Sequence, residues 1–397
     1  MTVKSVKTGV STSLAVGNTN AAKPEAPTIG TATAGGGATA TVTYTAAPKG
    51  AAGSTFTATS TPSSFTGTSS TSPITITGLD SSTNYTFTVK ATNANGDSPE
   101  SSASNSITSS APARAVFGGG GSYSNVIDYI TITTTGNATD FGDLTSGRVL
   151  MAATASSTRA VFAAGVGNAL NEIDYITIAT TGDATDFGDV SAPRSRFGGC
   201  GNETRGIFAG GYNDNSGQRS NVIDYVTIAT TGNATDFGDL TGTKTSGAAC
   251  SSPTRGIVSA GGQTSFNPNV NLSSIDYVTI ATTGNASNFG DITVARGSLT
   301  GCGSSTRGLF GGGSSSNIIE YVTIASTGNA TDFGDLTANR GNSGAASSTL
   351  RGVFAGSDTT TATIDYVAIA TTGNASNFGN LTVSRDPAGT SSGHGGL

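Results

Sequence analysis

Four sets of residues in this sequence could carry chemistry. The first is six basic residues, Arg148, Arg194, Lys244, Arg296, Arg340 and Arg385, each 19 positions after a recurring tyrosine. Guanidinium and ammonium groups gathered in one place hold an anionic sugar or another carboxylate. The second is Cys200, Cys250 and Cys302, each six residues after one of those basic residues. Three thiols at one register could bind a soft metal. The equivalent positions Thr154, Ala346 and Ser391 favour a small buried residue instead. The third is the recurring Thr-Gly-Asn-Ala-Thr-Asp-Phe-Gly-Asp, whose oxygen ligands would suit calcium. Its acids become Asn288, Asn377 and Asn380 in later copies, so turn closure by Asx side chains accounts better for it. The fourth is a set of aromatic and polar residues on variable segments: Tyr123; Tyr212, Asn213, Asp214 and Arg219; Gln263, Phe266 and Asn267. Aromatic rings on polar loops suit sugar faces or protein patches.

Composition excludes most other chemistries. The chain has 397 residues, 57 of them glycine, no tryptophan and 11% charged residues, too few for a coiled coil or helical bundle. Nineteen basic residues against 25 acidic ones give a net charge of −6, which argues against neutralising phosphates, so no nucleic-acid partner is expected. No apolar run approaches the ~18 residues that a membrane span needs, so no membrane insertion is expected. The opening residues lack the apolar core of a signal peptide. Three cysteines make no disulfide framework. His394 is the single histidine, whereas most metal-hydrolase and Ser-His or Cys-His chemistries need one inside the fold. The expectation is a protein that is not an enzyme and uses no metal or cofactor.

The elements that must position these residues divide at about residue 111. Residues 1–23 form a polar arm without a strong pattern. Over 24–110, Ala40–Tyr44, Thr55–Thr59, Ile74–Thr77 and Tyr85–Lys90 alternate at period two, as half-buried antiparallel strands do. Gly35–Gly37, Pro48–Gly50 and Asn95-Gly96 supply turns. Leu79 stands six residues before Tyr85. The stretch resembles a fibronectin type III domain, in which that spacing makes the tyrosine corner. Tyr44 stands where the family usually places a core tryptophan. The resemblance implies a β-sandwich used as a spacer or display module, with no chemistry of its own.

From residue 114 the chain repeats. The tyrosine of Ile-Asp-Tyr or Ile-Glu-Tyr recurs at 129, 175, 225, 277, 321 and 366. An arginine leads an apolar segment at 114, 159, 205, 255, 307 and 351. Each unit contains four strand-length segments, here named a to d, and repeats of this length read as β-propeller blades. The order resembles the kelch repeat, with Phe141, Phe187, Phe237, Phe289, Phe333 and Phe378 where kelch blades usually carry tryptophan. The resulting expectation over 111–397 is all-β: a six-bladed kelch-like β-propeller whose first blade is completed by a strand from residues 385–397.

The spacing separates scaffold from surface. The basic residue is always 19 after the tyrosine, and the next b-strand arginine is always 11 further on. Only the step from that arginine to the tyrosine varies: 15, 16, 20, 22, 14 and 15. All length variation therefore falls in the b–c connection, either because a rigid scaffold carries a binding surface there or because nothing constrains the length of those loops. The six basic residues are expected near the channel mouth on that face, either as an anion-binding ring or paired with acids such as Asp143, Asp189, Asp239, Asp291 and Asp335.

The Ser/Thr/Gly/Asn-rich, lysine-poor style, with its near-identical repeats, resembles kelch-like virion structural proteins of cyanophages. That resemblance implies a non-enzymatic tail-fibre or spike-like protein of the virion surface that reads a bacterial glycan or receptor. The alternative is a passive capsid or tail decoration protein bridging other virion proteins. The expected partners are other virion structural proteins through the N-terminal region, the host glycan or receptor, and further copies of the chain.

Overall fold

The computed structural model describes residues 22–35, 38–50, 52–80, 83–109, 113–167, 171–213, 215–259, 261, 271–359 and 361–397. The chain is all-β, with no helix among the described residues. It divides into two compact units, residues 1–111 and 112–397.

The first unit contains two antiparallel sheets. One is formed by Thr28–Gly35, Thr39–Thr45 and Ile74–Thr77. The other is formed by Thr66–Ser69, Thr55–Thr61, Asn84–Asn93 and Gly96–Asp97, with Ile107–Thr108 paired to Asn84–Asn93. Alternation buries Tyr85, Phe87 and Val89 while the threonines between them reach outward. The Tyr44 and Phe56 ring centres lie 4.4 Å apart in the shared core. The Tyr85 hydroxyl accepts the Asp80 N–H at 3.1 Å and donates to the Asp80 carboxylate at 3.2 Å, so the expected tyrosine corner is formed.

The second unit contains six four-stranded antiparallel sheets, I to VI. Sheets II to VI each run in sequence order. Sheet II, for example, is Ala152–Ala155, Arg159–Ala163, Glu172–Thr177 and Thr185–Asp189. Sheet I takes b, c and d from Arg114–Gly118, Val126–Thr131 and Thr139–Asp143, and its a strand from Ala388–Ser391. The a strands are small because they crowd their neighbours: a Cβ on Gly199 of sheet III would lie 2.4 Å from the Ala153 carbonyl of sheet II. The b strands are covered on both faces and read as continuous apolar runs, as in Arg-Ala-Val-Phe.

Six apolar clusters fill the spaces between consecutive sheets. Phe141 and Leu144 of sheet I meet Phe162 and Ile176 of sheet II. The same arrangement joins sheets II–III, III–IV, IV–V and V–VI. A sixth cluster joins Val353 and Phe378 of sheet VI to Phe117 and Ile130 of sheet I.

The outer d strands, which would otherwise present open edges, are tied to the next sheet. The Asp143 N–H donates to Asp183 Oδ1 at 3.0 Å, and the Gly182 N–H donates to the Phe141 carbonyl at 2.8 Å. The side-chain tie recurs in all six copies, through to Asn380 N–H on Asn137. This is the structural duty of Thr-Gly-Asn-Ala-Thr-Asp-Phe-Gly-Asp. Its second glycine is required for it: Gly142 has φ 144°, and a Cβ there would lie 2.5 Å from the Gly182 carbonyl.

Residues 392–397 run past the inner strands. The His394 Nε2–H donates to the Ala155 carbonyl at 2.7 Å, and Nδ1 accepts the Gly396 N–H at 3.1 Å. Both bonds fit the neutral Nε2–H tautomer. Burial holds the imidazole below its ordinary range, against the opposing pull of the Ala155 carbonyl and of Glu203.

Two outcomes are expected. Removing residues 385–397 takes away a whole inner strand of sheet I, and should lower the melting temperature of the second unit by roughly 10 °C or more. Calorimetry checks this, with the transition of the first unit unchanged. For His394 the unfolded chain binds the proton more tightly than the native one, so stability should fall as pH drops below about 6.5 toward the lowered native pKa. Melting curves from pH 7.5 to 5 should show that slope, and His394→Gln should flatten it.

Candidate functional site

The six basic residues reach the protein interior and not a channel mouth. Arg148, Arg194, Lys244, Arg296, Arg340 and Arg385 have side chains between 0% and 3% exposed, and their partner carboxylates are fully buried. The partners are Asp174, Asp224, Asp276, Glu320, Asp365 and Asp128, the acids of the Ile-Asp-Tyr and Ile-Glu-Tyr triplets. Arg194 meets Asp224 at 2.7 Å, Lys244 meets Asp276 at 3.1 Å, and Arg385 meets Asp128 at 3.1 Å. The expected alternatives, Asp143 and its counterparts, lie instead on the d strands. A ring of neutralised, buried cations presents no anion site, so that expectation is corrected.

Each pair also fastens the connection that enters its sheet. Thr145, just after strand d of sheet I, donates its hydroxyl to Asp174 of sheet II at 2.7 Å. Ser191, Thr241, Thr293, Thr337 and Thr382 repeat the bond at 2.6–2.8 Å. Burial pushes the Arg194, Lys244, Arg340 and Arg385 pKa values down, and their paired carboxylates oppose it. Burial likewise pushes the Asp174 carboxyl up, against the pull of Arg148.

The b-strand arginines clamp adjacent sheets. Arg159 lies over the Tyr175 ring at 4.2 Å and donates to the Ile228 carbonyl of sheet III at 2.9 Å. The six copies run through to Arg351 of sheet VI, which donates to Ile132 of sheet I.

The thiols are also structural. Sγ of Cys200, Cys250 and Cys302 fills the space beside Gly256, Gly308 and Gly352 of the following sheet. Burial pushes Cys200 and Cys302 up to about 12, and Cys250 upward as well. Among the described residues no cluster of three His, Cys, Asp or Glu is arranged for a metal.

Among the described residues, variable b–c connections stand beside the d–a connections. The Gly120 N–H donates to the Arg148 carbonyl at 2.8 Å, and the Gly211 N–H to that of Lys244 at 2.7 Å. Tyr123 is 56% exposed. Tyr212 and Asn213 pair with Arg219 and Gln218 in a short β-ribbon. Asn213 Oδ1 accepts the N–H groups of Asn215 and Ser216, both at 3.0 Å, so this amide closes its own turn. Asp214, Gln263, Phe266 and Asn267 lie outside the described residues, as do residues 1–21 of the arm.

Repeat reading missed a depression of about 100 Å³ on this face, lined from all six sheets. Its polar side chains include Arg196, Asn342 and Asp386, all half-buried, and Leu150, Phe197 and Leu299 also line it. The Arg196 guanidinium lies 5.9 Å from the centre of the Tyr212 ring. Asp386 Oδ1 accepts the Gly121 N–H at 2.6 Å, and the Asn342 amide donates to Asp358 at 3.3 Å. Burial pushes the Asp386 carboxyl up, opposed by the Gly121 hydrogen bond, and the Asp358 charge adds a smaller upward push.

The rim is backbone under strain. Leu150, Arg196, Ser246, Ser298 and Asn342 have φ of 58°, 55°, 57°, 60° and 50°. A left-handed conformation costs each such residue about 1–2 kcal/mol. It is held by N–H to carbonyl bonds from Arg196 to Leu150, Ser246 to Arg196, Ser298 to Ser246 and Asn342 to Ser298, at 2.7–3.0 Å. The sixth equivalent position is Pro387, which has no N–H to continue the run.

The buried pairs carry a stability prediction. Asp224→Ala strands a buried guanidinium and should cost about 3–5 kcal/mol, while Arg194→Met/Asp224→Leu should recover most of the loss. Urea unfolding of the two variants beside the parent measures both.

A search of curated proteins finds no match to this chain. Residues 25–107 match the fibronectin type III domain family. That match and the tyrosine corner agree on the same stretch: residues 25–107 form a fibronectin type III domain.

Proposed function

We propose that the six sheets are blades of a kelch-like β-propeller, and that the protein is a non-enzymatic component of a bacteriophage virion surface that engages a host glycan. Three features support the propeller reading. The apolar clusters run sheet to sheet and return from VI to I. The arginine clamps do the same. Strand Ala388–Ser391 supplies sheet I with its inner strand. The phage reading is supported by the composition and the repeat style.

The observation that carries the recognition role is where the sequence varies. Two spacings per repeat are fixed and one, the b–c connection, is free. The described parts of those connections share hydrogen bonds with the d–a connections, whose residues line the depression. Buried pairs and clamps hold the sheets, so loops can change without disturbing them. The fibronectin type III domain then acts as a spacer, and the N-terminal arm as the attachment to other virion proteins.

The test is binding of the labelled full-length protein to intact cells of candidate hosts, before and after periodate oxidation of surface glycans. A variant in which residues 212–219 are replaced by a tight turn runs beside it. Binding should be abolished by periodate and reduced at least tenfold in the variant. Absence of binding to every host would overturn the recognition role in favour of passive decoration.

A further inference from the structure

We infer that residues 393–396 are a proton-operated plug: they seat against the a–b turns of the six sheets while His394 is neutral, and leave that seat when His394 takes up a proton. The inference is independent of the recognition role proposed above.

The seat is built from every sheet. Gly393 lies against Ala113, which leads into sheet I, and Ser348 of sheet VI; a Cβ on it would stand 2.6 Å from the Ala113 Cβ. His394 reaches Ala155 of sheet II. A Cβ on Gly395 would run into the carbonyls of Ser304 in sheet V and Ser251 in sheet IV, and one on Gly396 into the Gly201 carbonyl of sheet III. Glycine at three of these four positions lets backbone enter where no side chain fits. His394 and Gly395 also line a cavity of about 40 Å³ whose other walls are the a strands of all six sheets.

The imidazole makes a bond that hydroxyls make elsewhere. Ala155, Gly201, Ser251, Gly303, Ser347 and Ser391 occupy one register on the a strands. At three junctions the serine of one sheet donates to the carbonyl of the preceding sheet: Ser251 to Gly201 at 2.6 Å, Ser347 to Gly303 at 2.7 Å and Ser391 to Ser347 at 2.6 Å. Between sheets II and III the donor position is Gly201, which has no hydroxyl, and the Ala155 carbonyl is taken by His394 instead. A titratable donor stands there in place of a permanent one.

The seat does not accommodate a second ring proton. Nε2–H donates to Ala155 and Nδ1 accepts the Gly396 N–H, so both nitrogens are committed. A proton on Nδ1 sets two donors against each other and charges a group whose surroundings disfavour charge. The charged side chain that faces it is Glu203, on the a–b turn of sheet III, whose attraction is smaller than the effect of burial. Its carboxylate is engaged by the N–H and hydroxyl of Ser157. The other a–b turns carry no titratable side chain. Cys200, Cys250 and Cys302 share the cavity wall and stay neutral, their thiols being pushed up by burial. A released imidazole regains its ordinary pKa of about 6.5, and the seated one lies lower. The released population therefore grows as pH falls through about 6.5, by up to tenfold per pH unit, until the seated imidazole itself protonates.

The test uses untagged full-length protein. His394 is its single histidine, so carbon-13 histidine labelling gives one ring signal, whose shifts report the tautomer. Deuterium exchange, corrected for intrinsic rates, reports the amides of residues 393–397. At pH 7.5 the ring should be the Nε2–H tautomer. Between pH 6.5 and 4.5 protection of the tail should fall about tenfold per pH unit while the c strands stay protected. His394→Gln should hold tail protection level across that range. Gly395→Ala, with melting temperature as its folding control, should expose the tail at every pH. An Nδ1–H tautomer at pH 7.5, or tail protection that does not change with pH in the parent, would overturn the plug. So would an undiminished pH dependence in His394→Gln, or loss of protection in the c strands in step with the tail.

Discussion

Each sheet of the repeat region is organised around a carboxylate that water does not reach. The acid sits in the middle of strand c, and the basic residue and hydroxyl that satisfy it arrive on the connection from the preceding sheet. A buried charge is tolerated only when its partners are in place, so this arrangement fixes how one sheet follows another. The aromatic and apolar groups supply the bulk of the favourable burial, but they are shape-tolerant. The ion pair is not, and it sets the position of the d–a connection and hence of the rim residues one or two places further on. Where the acid lengthens to Glu320, its partner Arg296 also donates to the Gly312 carbonyl, so the geometry adapts within the same frame.

Much of this organisation was legible in the sequence because the repeat lengths are fixed. Four strand-length segments per unit, the strand borrowed from residues 388–391 and the free b–c connection all follow from intervals between tyrosine and basic residues. The pairing partner was not legible. Five of the six units offer two regular acids, one of the Asp128 type and one of the Asp143 type, and the one nearer in sequence to the basic residue, Asp143 five positions before Arg148, is not its partner. Alternation normally tells the buried one, yet strand c is covered on both faces, and Ile127 and Asp128 are both fully buried. The tyrosine corner, by contrast, was readable from two residues, because a half-buried sandwich keeps its alternation.

The depression was hidden for a different reason. Its rim positions are Leu150, Arg196, Ser246, Ser298, Asn342 and Pro387, of which only the two serines are alike. A repeat is recognised by what recurs, so a position that recurs only in backbone conformation escapes notice. The signal was present as variability at a fixed offset of two from the buried basic residue. Side-chain identity is free there, whereas the inter-sheet backbone bonds constrain conformation at five of the six positions.

Strand Ala388–Ser391 pairs with Arg114–Gly118, and Ser392 accepts the Arg114 N–H across 278 residues of chain. During synthesis sheets II to VI can each assemble as their four strands emerge, because their pairings are local. Sheet I cannot. At ribosomal rates of about 5–20 residues per second, its b strand waits on the order of tens of seconds for its partner. Through that interval one side of Arg114–Gly118 is an unfilled edge. The order in which the protein leaves the ribosome therefore makes its first sheet its last to be finished, and places the period of greatest exposure to misassembly there.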